Sequence, residues 1–225
     1  MLRAVVFDFD GVLADSEPLH FRAYRDVLGE EGITLAEADY YAKYLGYDDV
    51  GAFAAMAADR GLDWSAERID ELVERKARGM EALAHDDSVL FPGAADAVRR
   101  LAARCPIAIV SGALRREIER ILDHADLTRY FAVIVSAEDA PASKPAPDPY
   151  LRAIQLLSAG FAVSPAECVA IEDSRWGLES AVAAGFRTVA VTHTYPAPDL
   201  AVADAIVPRL DCLTWEFLSN VRSRR

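Results

Sequence analysis

Six short apolar runs recur along the 225-residue chain, and they constrain its fold more than any other feature. The first, Ala4-Val5-Val6-Phe7-Asp8-Phe9, ends in acid. The others cover 106–110, 131–135, 168–171, 188–191 and 205–207. Runs this short, without polar alternation, fit strands buried on both faces of a parallel sheet. Helical patterns lie between them. Residues 94–103 carry Val98 and Leu101, 114–122 carry Ile118, Ile121 and Leu122, and 150–157 carry Leu151, Ile154 and Leu157. Residues 174–184 start at Ser174, an N-cap residue type, and stop at Gly185, a left-handed C-terminal type. Strand and helix alternate, so the chain is read as α/β, a doubly wound Rossmann-like parallel sheet.

The alternation breaks once. Residues 16–84 show helical patterns only, with Phe21, Tyr24, Val27 and Leu28 on one stripe and Ile69, Leu72, Val73, Met80 and Leu83 on another. This reads as an α-helical bundle inserted after the first strand. The expected division is a core of 1–15 and 86–225, and an insert of 16–85. The only biased segment is 141–149, with four prolines around Lys144. Charge narrows the partners. The formal net charge is −12, and a chain this acidic repels phosphate backbones, so nucleic acid is not an expected partner. No apolar run approaches the ~20 residues of a membrane span. The N-terminus turns acidic at Asp8, before a signal-peptide core could form. Cys105, Cys168 and Cys212 are odd in number and far apart, and read as reduced core thiols of a cytoplasmic protein.

The chemistry gathers at strand ends. Asp8 and Asp10 are two residues apart, so in an extended chain their side chains share a side. Open α/β sheets bind ligands at the carboxyl ends of their strands. Two like charges there raise each other's pKa unless a cation or proton separates them. Taken alone, the pair reads equally as a solvated turn. Glu172 and Asp173 end a second apolar run, which weakens the reading of unrelated acidic loops. Four carboxylates at one sheet edge favour a hard divalent cation, and Mg²⁺ suits oxygen ligands shared with a phosphate. Ser111-Gly112, after another run, suits an anion at a helix N-terminus, although in isolation the simple N-cap is the stronger reading. Lys144 alone would be a solvated loop lysine; beside the others it is a phosphate partner.

The order acid-x-acid, Ser, Lys, acid-acid resembles the haloacid dehalogenase superfamily of phosphotransferases. The resemblance is carried by Asp8-Phe9-Asp10-Gly11-Val12-Leu13-Ala14-Asp15-Ser16, Phe91-Pro92-Gly93, Ser111-Gly112, Ser143-Lys144-Pro145, Ala146-Pro147-Asp148 and Ile171-Glu172-Asp173-Ser174. It covers nearly the whole chain. Within the superfamily it is similar to the β-phosphoglucomutase-like and phosphoglycolate-phosphatase-like group, and the insert resembles that group's helical cap. The resemblance implies that Asp8 is the nucleophile, becoming an aspartyl-phosphate, and that Asp10 is the acid and base. It implies Mg²⁺ held by the Asp8 side chain, the Asp10 main-chain carbonyl and Asp173, with support from Glu172. Ser111, Gly112 and Lys144 would hold the phosphoryl group. True dehalogenases lack the second aspartate, and the ion-pumping ATPases carry Asp-Lys-Thr-Gly-Thr; this chain matches neither.

Cap residues implied for specificity are His20, Gly46 and Lys76. The sequence departs from the mutase pattern at Asp48, Asp49 and Val50, where the mutase has an arginine for a second phosphate. It also departs at Gly112, Ala113 and Leu114, which replace a more polar run. The leading expectation is a Mg²⁺-dependent phosphatase of a small phosphorylated metabolite, as a monomer or weak homodimer. A phosphohexomutase is the enzymatic alternative, and a non-catalytic binding protein on the same fold is the third. Cap opening and closing is expected to hinge near 14–17 and 86–91.

Overall fold

A computed structural model describes residues 1–83 and 89–224. Strand β1 (Ala4–Phe7) opens the chain with all four residues buried. The helical unit follows: α1 (Glu17–Glu30), then α2 (Glu37–Asp39) running into a π-helical turn at Tyr40–Tyr44, then α3 (Asp49–Ala58) and α4 (Ala66–Leu83). The chain then alternates: α5 (Ala94–Ala102), β2 (Ile107–Val110), α6 (Arg115–His124), β3 (Phe131–Val135), α7 (Asp148–Gly160), β4 (Cys168–Glu172), α8 (Arg175–Ala183), β5 (Arg187–Val191), β6 (Ala205–Val207) and α9 (Trp215–Asn220). Two compact units result: Met1–Asp15 with Val89–Arg225, and Ser16–Ser88. The expected boundary at 85/86, and residues 86–88 of the expected second hinge, lie outside the described residues.

The sheet is parallel throughout, in the order β3-β2-β1-β4-β5-β6. Successive strands run outward from β1 in one direction and from β4 in the other. The reversal between β1 and β4 is the topological switch point, where such sheets open a crevice at their carboxyl ends. Register places Phe7 beside Ile171. The residues that follow them, Asp8 and Glu172, therefore leave the sheet side by side.

Strands β1, β2, β4 and β5 are buried along their whole length. The 131–135 run differs. It forms an edge strand, and only Val135 is fully buried. The core on one face joins Val6, Val110, Ala170, Tyr150, Leu157, Cys168 and Phe186. All three cysteines are free, but only Cys168 is a core thiol; Cys105 and Cys212 are partly exposed. Burial pushes the Cys168 thiol up to about 12, which keeps it protonated and unreactive. No described helix is long and apolar enough to cross a membrane.

The helical unit has its own core. Tyr24, Val27 and Leu28 of α1 meet Phe53 and Met56 of α3 and Leu72 of α4. Ile69 and Val73 pack against this group. Both sequence stripes thus face inward, apart from Leu83, whose side chain is outside the described set. Arg68 and Arg75 of α4 pair with Glu31, and Arg75 also pairs with Glu30. These two arginines hold the Glu31 carboxyl below the usual range. Such partly exposed pairs contribute little individually.

Candidate active site

The site starts where β1 ends. The Asp8 N–H donates to the Ile171 carbonyl at 2.9 Å, which extends the ladder by one residue and sets Asp8 at the strand's carboxyl end. The chain then folds tightly. The N–H groups of Leu13 and Ala14 both donate to the Phe9 carbonyl, and Gly11 donates to Ala14. Gly11 has φ +78°, which favours glycine. A Cβ there would lie 2.0 Å from Asp173 Oδ2 and 2.8 Å from Thr194 Oγ1. Gly11→Ala is therefore expected to displace Asp173 and to lower kcat/KM by about 10²-fold, since small displacements of reacting groups cost that much. Steady-state assays beside the wild type test it; a loss below threefold would show that the loop absorbs the methyl group.

The loop after β5 closes over this turn. His193 Nδ1 lies 3.0 Å from the Gly11 carbonyl. A carbonyl only accepts, so Nδ1 carries the proton and donates. The imidazole stacks on Phe91 with centroids 4.1 Å apart. Burial lowers its pKa, which favours the neutral ring.

Three more strand ends complete the site. Ser111 follows β2 and is anchored by its N–H to Val135. Its Oγ accepts from the Ala113 N–H at 2.9 Å and reaches Asp10 Oδ2 at 3.3 Å. Gly112 is exposed, and a Cβ there would meet open space. Lys144, on the proline-rich loop before α7, donates to Asp8 Oδ1 at 2.8 Å, Glu172 Oε1 at 2.7 Å and the Val110 carbonyl at 2.9 Å. Glu172 is the last residue of β4 and is fully buried. Its Oε1 also accepts from the Tyr150 hydroxyl at 2.6 Å, while its Oε2 has no hydrogen-bond partner among the described residues.

Carboxylates crowd this cluster. Asp8, Glu172 and Asp173 each offer an oxygen, all within 4.8 Å of one another. Lys144 is the ammonium hydrogen-bonded to two of them. Burial, then the Glu172 charge, pushes the Asp8 carboxyl well above the usual range; Asp173 adds to this and Lys144 opposes it. Burial disfavours the Lys144 charge, but Asp8 and Glu172 outweigh it and hold the ammonium above its ordinary value. These three residues offer only hard oxygen donors, and among the described residues Glu172 Oε2 accepts no hydrogen bond, a set that fits a divalent cation. Asp10 Oδ2 accepts from the Ser111 hydroxyl.

The specificity residues expected in the cap fall into two groups. His20 Nδ1 and Lys76 Nζ are 2.7 Å apart, and Lys76 also donates to both oxygens of Asp49 at 2.9 and 3.0 Å. The Tyr24 hydroxyl donates to Asp49 at 2.6 Å. Lys76 is fully buried, so its charge is neutralised within the helical unit. Gly46, at φ +93°, lies in the exposed turn before α3.

Tyr150, Gly177 and His193 carry no sequence signal for a role at the site. Tyr150 reads as one more apolar position on a helix. Gly177 stands in the first turn of α8, and His193 follows an apolar run. What each touches depends on elements far away in the chain.

Carboxylates at the ends of two central strands converge with Lys144 at the switch point of a parallel sheet, a donor set suited to a divalent cation. A family model described as haloacid dehalogenase-like hydrolase matches residues 2–185. The chain belongs to this family. It is 33% identical over 234 residues to protein CbbY of Rhodobacter capsulatus, covering 98% of this chain and 99% of that one. It is 32% identical over 204 residues to hexitol phosphatase B of Escherichia coli, covering 87% and 84%. The crystal structure of β-phosphoglucomutase from Clostridium difficile shares the fold, with TM-score 0.85, 22% identity and coverage of 97% and 96%.

Proposed function

We propose that the protein is a Mg²⁺-dependent phosphatase that hydrolyses a small phosphorylated metabolite through an aspartyl-phosphate. The observation that carries this is the Asp8–Lys144–Glu172 contact set beside the Asp10–Ser111 pair. It brings together, at the carboxyl ends of central strands, side chains whose chemistry suits a nucleophile, a phosphate-binding cation and an acid. The named activity of hexitol phosphatase B supports the reading.

Asp8 attacks phosphorus, and the bond to the leaving oxygen breaks as that oxygen takes the Asp10 proton. Asp10, now ionised, takes a proton from water as the water attacks the aspartyl-phosphate, releasing phosphate and restoring Asp8. Lys144 and Ser111 hold the phosphoryl oxygens through the transfer. The Asp8 and Asp173 side chains and the Asp10 carbonyl would hold Mg²⁺, with Glu172 alongside. The bound cation supplies positive charge that offsets repulsion between these carboxylates and a phosphate dianion.

A phosphohexomutase would need a second phosphate held by the cap. Here residues 48 and 49 are acids, and Asp49 already neutralises Lys76, so hydrolysis of monophosphates is favoured. The test is a panel of hexitol phosphates, glucose 1- and 6-phosphate and phosphoglycolate, with product identified. Inorganic phosphate as main product supports the proposal; no turnover, or conversion of one sugar phosphate into the other, overturns it. EDTA is expected to reduce phosphate release to background and Mg²⁺ to restore it. The thermal midpoint should rise on adding Mg²⁺, because a ligand of the folded state stabilises it. Full activity in EDTA would contradict the metal assignment.

A further inference from the structure

Glu172 is held from two sides by residues outside the catalytic motifs. On one side stands Tyr150 of α7, fully buried, its ring edge-on to Phe186 at 5.2 Å. The core therefore fixes the direction of its hydroxyl, which donates to Glu172 Oε1. The ring also lies 5.5 Å from Lys144 Nζ, within cation–π range. On the other side stands Gly177 in the first turn of α8. A Cβ there would lie 2.0 Å from Glu172 Oε2, 2.1 Å from Cδ and 2.3 Å from Oε1. The carboxylate thus occupies the space that any larger residue would need.

We propose that Tyr150 and Gly177 are positioning residues that fix the Glu172 carboxylate in the orientation that holds Lys144 against Asp8. The meaning of that contact for catalysis rests on the phosphatase reading; the positioning itself does not. Lys144 has three protons, and Asp8, Glu172 and the Val110 carbonyl take one each. Its direction is set only while all three anchors hold. If Glu172 turns away, one anchor is lost and the ammonium over the nucleophile loosens. A buried charged pair is weak evidence for stability alone, which makes orientation the stronger reason for this arrangement.

Tyr150→Phe removes the hydroxyl and leaves the ring. It is expected to lower kcat by about 10–100-fold, the range found for residues that orient ligand-binding groups. Affinity for inorganic phosphate, titrated by calorimetry with Mg²⁺ present, should fall with it while the thermal midpoint stays near wild type. In a Glu172→Ala background the same substitution should change kcat less than about twofold, because it acts only through Glu172. Equal losses in both backgrounds would overturn the proposal. A crystal structure of Gly177→Ala should show the carboxylate out of hydrogen-bond reach of Lys144; both bonds to Oε1 intact would overturn it too. If Gly177→Ala does not fold, the Tyr150 cycle decides. If the wild type releases phosphate from no ester, the phosphatase reading fails, and the Gly177→Ala structure still decides the positioning.

Discussion

Asp8→Asn is expected to lower kcat for phosphomonoesters by about four to six orders of magnitude, as loss of a nucleophile does in other covalent enzymes. Asparagine keeps the shape of the side chain but cannot form the aspartyl-phosphate. Acid-quenched mass spectrometry should therefore detect the phosphorylated chain in the wild type and not in the variant. The same substitution makes a stability prediction of unusual sign. Burial, Glu172 and Asp173 raise the Asp8 carboxyl. A raised acid favours folding below its unfolded pKa, and that contribution is lost as pH rises through the folded value. Above the folded value and without metal, ionised Asp8 thus weighs against the fold, and Asn removes that cost. Asp8→Asn in EDTA should melt above the wild type at pH 8, and the gap should narrow towards pH 4. Turnover within tenfold of wild type would remove Asp8 from the mechanism. A variant that melts below the wild type at pH 8 would contradict the cost assigned to the ionised Asp8 carboxylate.

The second large effect lies in the helical unit. Asp49→Ala should destabilise the protein by about 3–5 kcal/mol, because it leaves a buried ammonium without its counter-charge. Lys76 is fully buried, and Asp49 supplies two of its contacts. Adding Lys76→Met should recover most of the loss, since removing both charges costs less than removing one. The pH dependence has a definite sign. Burial raises the Asp49 carboxyl, but the charges of Lys76 and His20 and the bonds from Tyr24 and Lys76 overcome it, leaving its pKa below normal. A lowered acid contributes stability above its unfolded pKa of about 4, and loses it as pH falls through the folded value. The difference between wild type and Asp49→Asn, from urea unfolding followed by circular dichroism, should shrink below that pH. A loss under about 1 kcal/mol for Asp49→Ala would show that the ammonium finds water or another partner.

The residues differ in how legible they were. Asp8 and Glu172 are legible as a set: the Asp8-Asp10 pair alone reads equally as a solvated turn, but acids ending two apolar runs are costly unless something binds them. Lys144 and Ser111 are not; singly, each reads as an ordinary loop residue, and only their order along the chain, through a family resemblance, marks them. His20 and Lys76 were matched to the cap by that resemblance. Their tie to Asp49 was not legible, because it joins three helices whose packing no local pattern records. The 131–135 run is as apolar as its neighbours, yet it lies at the sheet's edge. Edge position is set by strand order, which composition does not encode.

The sequence by itself determined the layered parallel architecture, the helical insert and the strand ends that carry chemistry. It could do so because burial on both faces removes polar alternation and a helix imposes its own period. Tertiary structure alone decided that β1 and β4 are neighbours, which sets Asp8 beside Glu172. It alone placed the Tyr150 hydroxyl and the bare Cα of Gly177 on either side of that carboxylate. The physical reason is range: periodicity and capping act within a few residues, whereas a hydrogen bond or an excluded methyl group acts between any two that packing brings together.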